Sequence, residues 1–175
     1  MVAVTDIGPG TVEQFRADVA RLGRAYVSAP PLPLFAAMHR TLNRVQASLH
    51  QKAYPDQARD LNFLAGALCG LMAASLDLGR EEAADDLARA AWTHGRIIDH
   101  GPLMGWARGT QALAAIWDYR YFDAVRHAPG PWTTSLVEDS CAPIAGMAGS
   151  GRWFRHATYV ARKMASARSI RRISR

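Results

Sequence analysis

Apolar residues recur along most of the chain at alternating steps of three and four, which is the spacing of one face of an α-helix. The first stripe consists of Val12, Phe15, Val19, Leu22 and Tyr26, and the second of Phe35, Met38, Leu42, Val45 and Leu49. A third stripe consists of Leu61, Leu64, Leu68, Leu71, Ser75 and Leu78. The pattern therefore predicts three amphipathic helices in the first 79 residues.

Turn and cap residues predict where these helices begin and end. Gly10 and Thr11 predict the cap of the first helix, and Pro30 with Pro31 predicts its end. Asp56 predicts the cap of the third helix. Gly79 predicts its C-terminal residue, because glycine adopts a positive φ at low cost.

Three further helices are predicted in the second half of the chain, over residues 81–99, over residues 103–117 and from about residue 121 to residue 128. The fourth carries acidic residues in its first turn, as the helix dipole favours. Its inward face is small, consisting of Ala84, Leu87, Ala88 and Ala91. No segment alternates in the manner of a strand, so the fold class is predicted to be all-α.

Helices three to six also read as two successive pairs. Gly79, Arg80 and Ala84 correspond to Tyr119, Arg120 and Ala124, forty positions later. A helix with large apolar residues, a turn and a helix with alanines is typical of stacked antiparallel helix pairs. An ordinary helix bundle fits the same spacing, so both architectures stay open at this point.

The net charge of +6 is confined to the end of the chain. Residues 1–128 contain 13 basic and 13 acidic residues, whereas residues 129–175 contain 8 basic and 2 acidic ones, a difference of +6. The body is therefore neutral, and the charge gives no reason to expect that it binds nucleic acid.

Catalytic and metal-binding patterns are not found in the sequence. Cys69 and Cys141 have no cysteine or histidine partner at metal-ligand spacing, and the six histidines form no helical metal motif. His94 lies on an apolar stripe, where a buried, hydrogen-bonded side chain is expected. Neither a signal peptide nor a membrane span is predicted. The expected protein is cytoplasmic, has no metal or cofactor, and is not an enzyme.

Five segments together resemble one particular family of regulators. They are residues 28–34, 68–79, 88–92, 106–113 and 117–124. In combination they resemble the C-terminal tetratricopeptide-like domain of actinobacterial helix-turn-helix transcriptional regulators of the XRE type. The resemblance covers about residues 11–128 and implies a domain that senses a ligand or mediates association. In such regulators, a separate N-terminal helix-turn-helix binds promoter DNA.

The resemblance also implies which side chains face a ligand or partner. In tetratricopeptide repeats the first helix of each pair lines the concave surface, which assigns Asp77, Arg108, Gln111 and Trp117 to it in this sequence. Arg108 and Gln111 are three residues apart and can be neighbours on a helix. The alternative is that Trp106 and Trp117 are core residues and that Arg108 pairs with a nearby acid.

The sequence departs from the family pattern at both ends. The chain begins at a lead-in of residues 1–10 without a helix-turn-helix, and no helix pair follows residue 128. Residues 129–175 form a divergent basic tail, which suggests a truncated or frame-shifted relative. The tail could form an amphipathic helix over residues 151–170, and its basic side chains could bind nucleic acid or anions, namely Arg155, Arg162, Lys163, Arg168, Arg171 and Arg172.

Three functional hypotheses follow from the sequence. The first is an interaction or ligand-sensing module that associates with itself or with a full-length regulator relative and holds a peptide or small ligand. The second is a non-functional remnant of such a regulator, and the third is a nucleic-acid binder that uses the tail. An unfinished repeat stack should expose apolar surface at its last pair, which favours association.

Overall fold

A computed structural model describes residues 7–26, 28–75 and 81–127 of the chain. In these ranges the fold is all-α, as predicted, with six helices and no strand. The helices are α1 (Pro9–Ala25), α2 (Pro31–Leu49), α3 (Pro55–Ala73), α4 (Glu81–Ile97), α5 (Gly101–Trp117) and α6 (Tyr121–His127). Each of these helices contacts the next one along the chain.

Helix α3 is the centre of the packing, since it contacts α1, α2, α4 and α5. The core consists mainly of the apolar stripes predicted from the sequence. Its fully buried side chains include Val19, Met38, Val45, Leu61, Leu64 and Leu68. Alternate helices α1 and α3, and α3 and α5, touch each other as well as the helix between them. This arrangement is the one expected of stacked helix pairs.

Glycines on α3 allow a close approach of α5. A Cβ atom built on Gly70 would lie 2.5–2.9 Å from three ring atoms of Trp106. A Cβ atom on Gly66 would lie 2.6 Å from a methyl carbon of Leu103. Because the positions are occupied by glycine, the buried Trp106 and Leu103 side chains can pack directly against the α3 backbone.

Several helix boundaries differ from the sequence prediction, and proline explains most of the differences. Helix α1 begins at Pro9 after Gly8, so Thr11 is not its cap. Pro31 and Pro55 each begin the following helix, α2 and α3, because proline has the φ of a first helical residue and needs no N–H partner there. Asp56 therefore lies inside the first turn of α3 instead of capping it.

The C-terminal end of α3 differs from its predicted position, whereas the C-terminal ends of α4 and α5 share one geometry. Helix α3 ends at Ala73, short of the predicted Gly79, which lies outside the described residues. Helices α4 and α5 are each followed by a residue of positive φ, Asp99 at 51° and Tyr119 at 56°. In both cases the next N–H group donates back to a carbonyl five residues earlier, which closes the helix end.

Candidate functional site

Arg108 and Gln111, two of the predicted ligand-facing residues, belong to a polar network between α4, α5 and α6. Gln111 accepts a hydrogen bond from Arg108 at 2.9 Å and donates one to Oδ1 of Asp85 on α4 at 3.2 Å. Arg108 also contacts Nδ1 of His127 on α6 at 3.2 Å. We call Asp85, Arg108, Gln111 and His127 the α4–α6 polar network.

Both the oxygen and the nitrogen of the Gln111 side-chain amide form hydrogen bonds within the protein. Its side chain is 2% exposed, so the amide would be costly to bury without these two partners. The Asp85 carboxylate is held from the other side by Arg89, whose guanidinium lies 2.6 Å from Oδ2. Gln111 therefore acts as a buried cross-link between α4 and α5.

Arg108 also stacks on an aromatic ring of α4. Its guanidinium carbon lies 4.7 Å from the centroid of Trp92, and that of Arg96 lies 5.3 Å from the same centroid. Such contacts combine cation–π attraction with packing of the flat guanidinium. The structure thus brings together residues from the 88–92 and 106–113 segments that carried the family resemblance.

His127 is held in its neutral form by its surroundings. Burial lowers its pKa below the ordinary 6.5, and the nearby positive charge of Arg108 lowers the pKa further, while Asp85 and Asp123 act in the opposite direction. Because Nδ1 accepts from Arg108, the neutral ring carries its proton on Nε2. Protonation at Nδ1 would replace this hydrogen bond with repulsion between two cations.

The predicted site residues are thus only partly brought together. Arg108 and Gln111 touch each other, and Arg108 reaches the acid Asp85 only through Gln111. Asp77 lies outside the described residues, as does the side chain of Trp117. The same holds for the predicted basic site of the tail, Arg155, Arg162, Lys163, Arg168, Arg171 and Arg172. A ligand-facing role for any of these residues stays a prediction.

A groove that the sequence analysis did not predict lies between α1, α3 and the turn from α4 to α5. It has a volume of about 490 Å³, within the range of small-molecule sites. Its lining residues are Arg16, Ala20, Arg59, Asp60, Phe63, Leu64, Ile98 and His100. Most of the surface is apolar, although Arg16, Arg59, Asp60 and His100 among the lining residues are polar.

His100 occupies the turn side of the groove and also caps α5. Its Nδ1 accepts a hydrogen bond from the backbone N–H of Leu103 at 3.1 Å, and its ring lies 5.1 Å from the Phe63 ring. Burial lowers the pKa of His100, and the positive charge of Arg59 lowers it as well. The neutral ring, with Nδ1 accepting, carries its proton on Nε2.

The two arginines of the groove differ in their partners. Arg16 on α1 forms an ion pair with Asp60 on α3, with an N–O distance of 2.7 Å. Arg59, the neighbour of Asp60, forms no ion pair within the described part of the chain. Among these residues, one positive charge at the groove is therefore uncompensated.

His94 and Cys69, two residues considered in the sequence, take part in the packing of the helices. His94 is hydrogen-bonded, as predicted, through a 2.9 Å contact between its Nδ1 and Oδ1 of Asn62. Cys69 is buried, and desolvation raises the pKa of its thiol to about 12. Both residues thus belong to the helix packing.

The described residues offer neither a metal site nor a membrane span. Within residues 7–26, 28–75 and 81–127, no three His, Cys, Asp or Glu side chains are grouped so that they could hold a metal ion. None of the helices in these ranges combines the length and the apolar character needed to cross a bilayer.

The groove was missed because its residues come from distant parts of the sequence. Arg16, Asp60 and His100 carry no common motif, and each is an ordinary residue on its own helix or turn. The only local signal is the position of His100 directly before Gly101 and Pro102, where a helix begins. Comparison with protein-family models, with curated proteins and with solved structures finds no match to this chain.

Proposed function

We propose that this chain is a non-enzymatic ligand-sensing module that binds a small, largely apolar molecule in the groove between α1, α3 and the α4–α5 turn. The groove itself supports this proposal, because it combines a mostly apolar surface with a few polar side chains. It also joins the first helices to the α4–α5 corner, so a bound ligand would tie these elements together.

The family resemblance supplies the biological setting of the proposal. The module corresponds to the tetratricopeptide-like regulatory domain of an actinobacterial XRE-type regulator and acts in the cytoplasm. Ligand binding would change how the module associates with a second copy or with a full-length regulator relative. The ligand can change this association only if it binds the associated and the unassociated module with different affinities.

A naphthalene probe tests whether the groove binds small molecules. We expect 2-naphthoate or its neutral analogue 2-naphthylmethanol to bind the full chain in isothermal titration calorimetry. Ala20→Phe, which adds a ring at the groove wall, should abolish this binding, and Phe63→Ala should weaken it by removing the aromatic contact. The fold of both variants is checked by circular dichroism.

Ala36→Phe is the matched control for Ala20→Phe. Ala36 is exposed on α2 and does not line the groove. The variant adds the same ring away from the groove and should bind the probes as the parent chain does. If neither probe binds the parent chain, or if folded Ala20→Phe binds both normally, the groove is not the ligand site.

Association with another protein is a second candidate function, supported by the α5–α6 end. Phe122 is 86% exposed and Tyr119 is 79% exposed, although both are large aromatic side chains. Exposed apolar groups of this size are typical of interaction surfaces when they lie together. The sequence predicts such a surface where a further helix pair would pack.

Sedimentation analysis tests this second candidate. Phe122→Ser should shift the full chain toward monomer, whereas Leu32→Ser on α2, a residue also highly exposed, should leave the association unchanged. Equal behaviour of both variants would argue against an α5–α6 interface. The remnant and nucleic-acid hypotheses concern mainly residues 129–175, which lie outside the described ranges, and stay predictions.

A further inference from the structure

We propose that the groove selects an apolar molecule with a single anionic group, such as a carboxylate, with that group at Arg59 and the apolar part against Phe63 and Ile98. This inference rests on the proposed ligand-sensing function and specifies the class of ligand. It uses residues that none of the sequence patterns assigned to a site.

The charge balance of the groove favours one negative group. The charges of Arg16 and Asp60 cancel within their 2.7 Å ion pair, whereas Arg59 has no such partner among the described residues. His100 adds no charge while its ring is neutral, with Nδ1 accepting from the Leu103 N–H. One uncompensated cation matches one anionic group.

The walls of the groove argue against a compact inorganic anion as the ligand. Ala20, Phe63, Leu64 and Ile98 make the lining mostly apolar, and a volume of about 490 Å³ exceeds what a phosphate or sulfate ion fills. Such an ion would leave the apolar surface hydrated and would gain only the contact with Arg59. An aromatic or aliphatic acid satisfies both parts of the groove, since its hydrocarbon is buried while its acid group meets the charge.

Matched probes separate the charge from the apolar contact. 2-Naphthoate and 2-naphthylmethanol have the same ring system, and only the first is negatively charged near neutral pH. We expect the full chain to bind naphthoate roughly tenfold more tightly in low-salt calorimetry, as one charge-assisted contact allows. Added salt should reduce this preference, since Arg59 is exposed.

Variants of the groove should move this preference in opposite directions. Arg59→Gln should abolish the preference for naphthoate over naphthylmethanol, and Arg59→Lys should keep part of it. Asp60→Asn removes the negative charge beside the site and should strengthen naphthoate binding a few-fold, roughly as a lost exposed charge contact predicts. Arg40→Gln, a change at an exposed arginine of α2 that does not line the groove, is the control.

The outcomes distinguish this inference from the function on which it rests. If neither probe binds the parent chain, the proposed ligand-sensing groove fails and the ligand class with it. If both probes bind the parent equally, the groove stands but the anionic class is wrong. A preference that survives in folded Arg59→Gln also overturns the inference, because the anion would then be held elsewhere, for example by the arginines of residues 129–175.

Discussion

The α1–α3 body and the α4–α6 end of this protein are held together by different kinds of interaction. In the body, large apolar side chains such as Met38, Leu61 and Leu68 are fully buried against one another. At the end, α4 and α5 contribute Ala91, Leu103, Trp106 and Ala107 to the main core, and a second apolar cluster is small, consisting of Ala84, Leu113 and Ala114. There the polar network of Asp85, Arg108, Gln111 and His127 links the three helices.

The difference predicts how each region responds to change. Apolar burial is non-directional, so the body should tolerate a change of pH and respond mainly to lost volume. A buried polar network is directional, and removal of one member leaves its partners unsatisfied. The α4–α6 end should therefore be the part of the fold that depends on protonation and on individual hydrogen bonds.

The largest effect is expected from a cavity in the body. Leu68 on α3 is fully buried in the main core, and Leu68→Ala should lower the free energy of unfolding by roughly 2–5 kcal/mol. Urea denaturation followed by circular dichroism measures the loss. We expect Leu68→Ala to lower the free energy of unfolding by the same amount at high and at mildly acidic pH. A loss that depends strongly on pH would contradict the contrast between the body and the α4–α6 end.

A smaller but specific loss is expected where α3 meets α5. Gly70→Ala places a methyl group against the buried Trp106 ring and should cost about 1–3 kcal/mol through overpacking. Gly109→Ala on α5, where the added Cβ meets nothing within 4 Å, should instead stabilise by about 0.5–1 kcal/mol because alanine favours the helix. A lower Tm for Gly70→Ala and a higher Tm for Gly109→Ala would confirm the close approach of α3 and α5. A higher Tm for both variants would refute it.

The polar network is tested by a change that keeps volume and removes hydrogen bonding. Gln111→Met should cost about 1–3 kcal/mol, because the part-buried Asp85 and Arg108 groups lose the buried amide that joins them. Gln46→Met, on the exposed face of α2, controls for the helix propensity of methionine. An equal stability of the two variants in urea would mean that the network contributes nothing.

The smallest effect concerns pH and is expected at α6. The folded state lowers the pKa of His127, so the unfolded chain binds a proton more readily than the folded one. The stability that the neutral ring provides is therefore complete above pH 6.5, its ordinary pKa, and decreases as the pH falls below that value.

A comparison of the parent chain with His127→Gln isolates this effect, because the burial-lowered pKa values of His94 and His100 remain in both proteins. Glutamine can still accept a hydrogen bond from Arg108 but does not titrate. The parent should lose more stability than the variant between neutral and mildly acidic pH. Parallel stability curves would remove His127 as a titrating member of the network.

Helix positions and their buried faces could be predicted from the sequence, because each depends on residues three or four apart. Most residues of the stripes through Val19, Val45 and Leu68 are buried as predicted, and so are Ala88 and Ala91 of α4. Helix starts were predicted less well. Pro9, Pro31 and Pro55 all begin helices, whereas the prediction assigned Thr11 and Asp56 as caps and proline mainly as an end signal.

The candidate sites depended more strongly on the tertiary structure. The pairing of Arg108 with Gln111 follows from their spacing on one helix, and the structure contains it. The contacts with Asp85, Trp92 and His127 join three different helices. No local pattern encodes such contacts.

The sequence by itself determined the helical class, the neutral body and the apolar faces, since these properties follow from composition and from the 3.6-residue period of the helix. Only the tertiary structure decided that α1 and α3 lie side by side next to the α4–α5 turn. That packing creates the groove, in which Arg16 and Asp60 neutralise each other and Arg59 does not have such a partner among the described residues. The physical reason is that a binding surface depends on distances between helices, which side-chain packing sets across the whole chain.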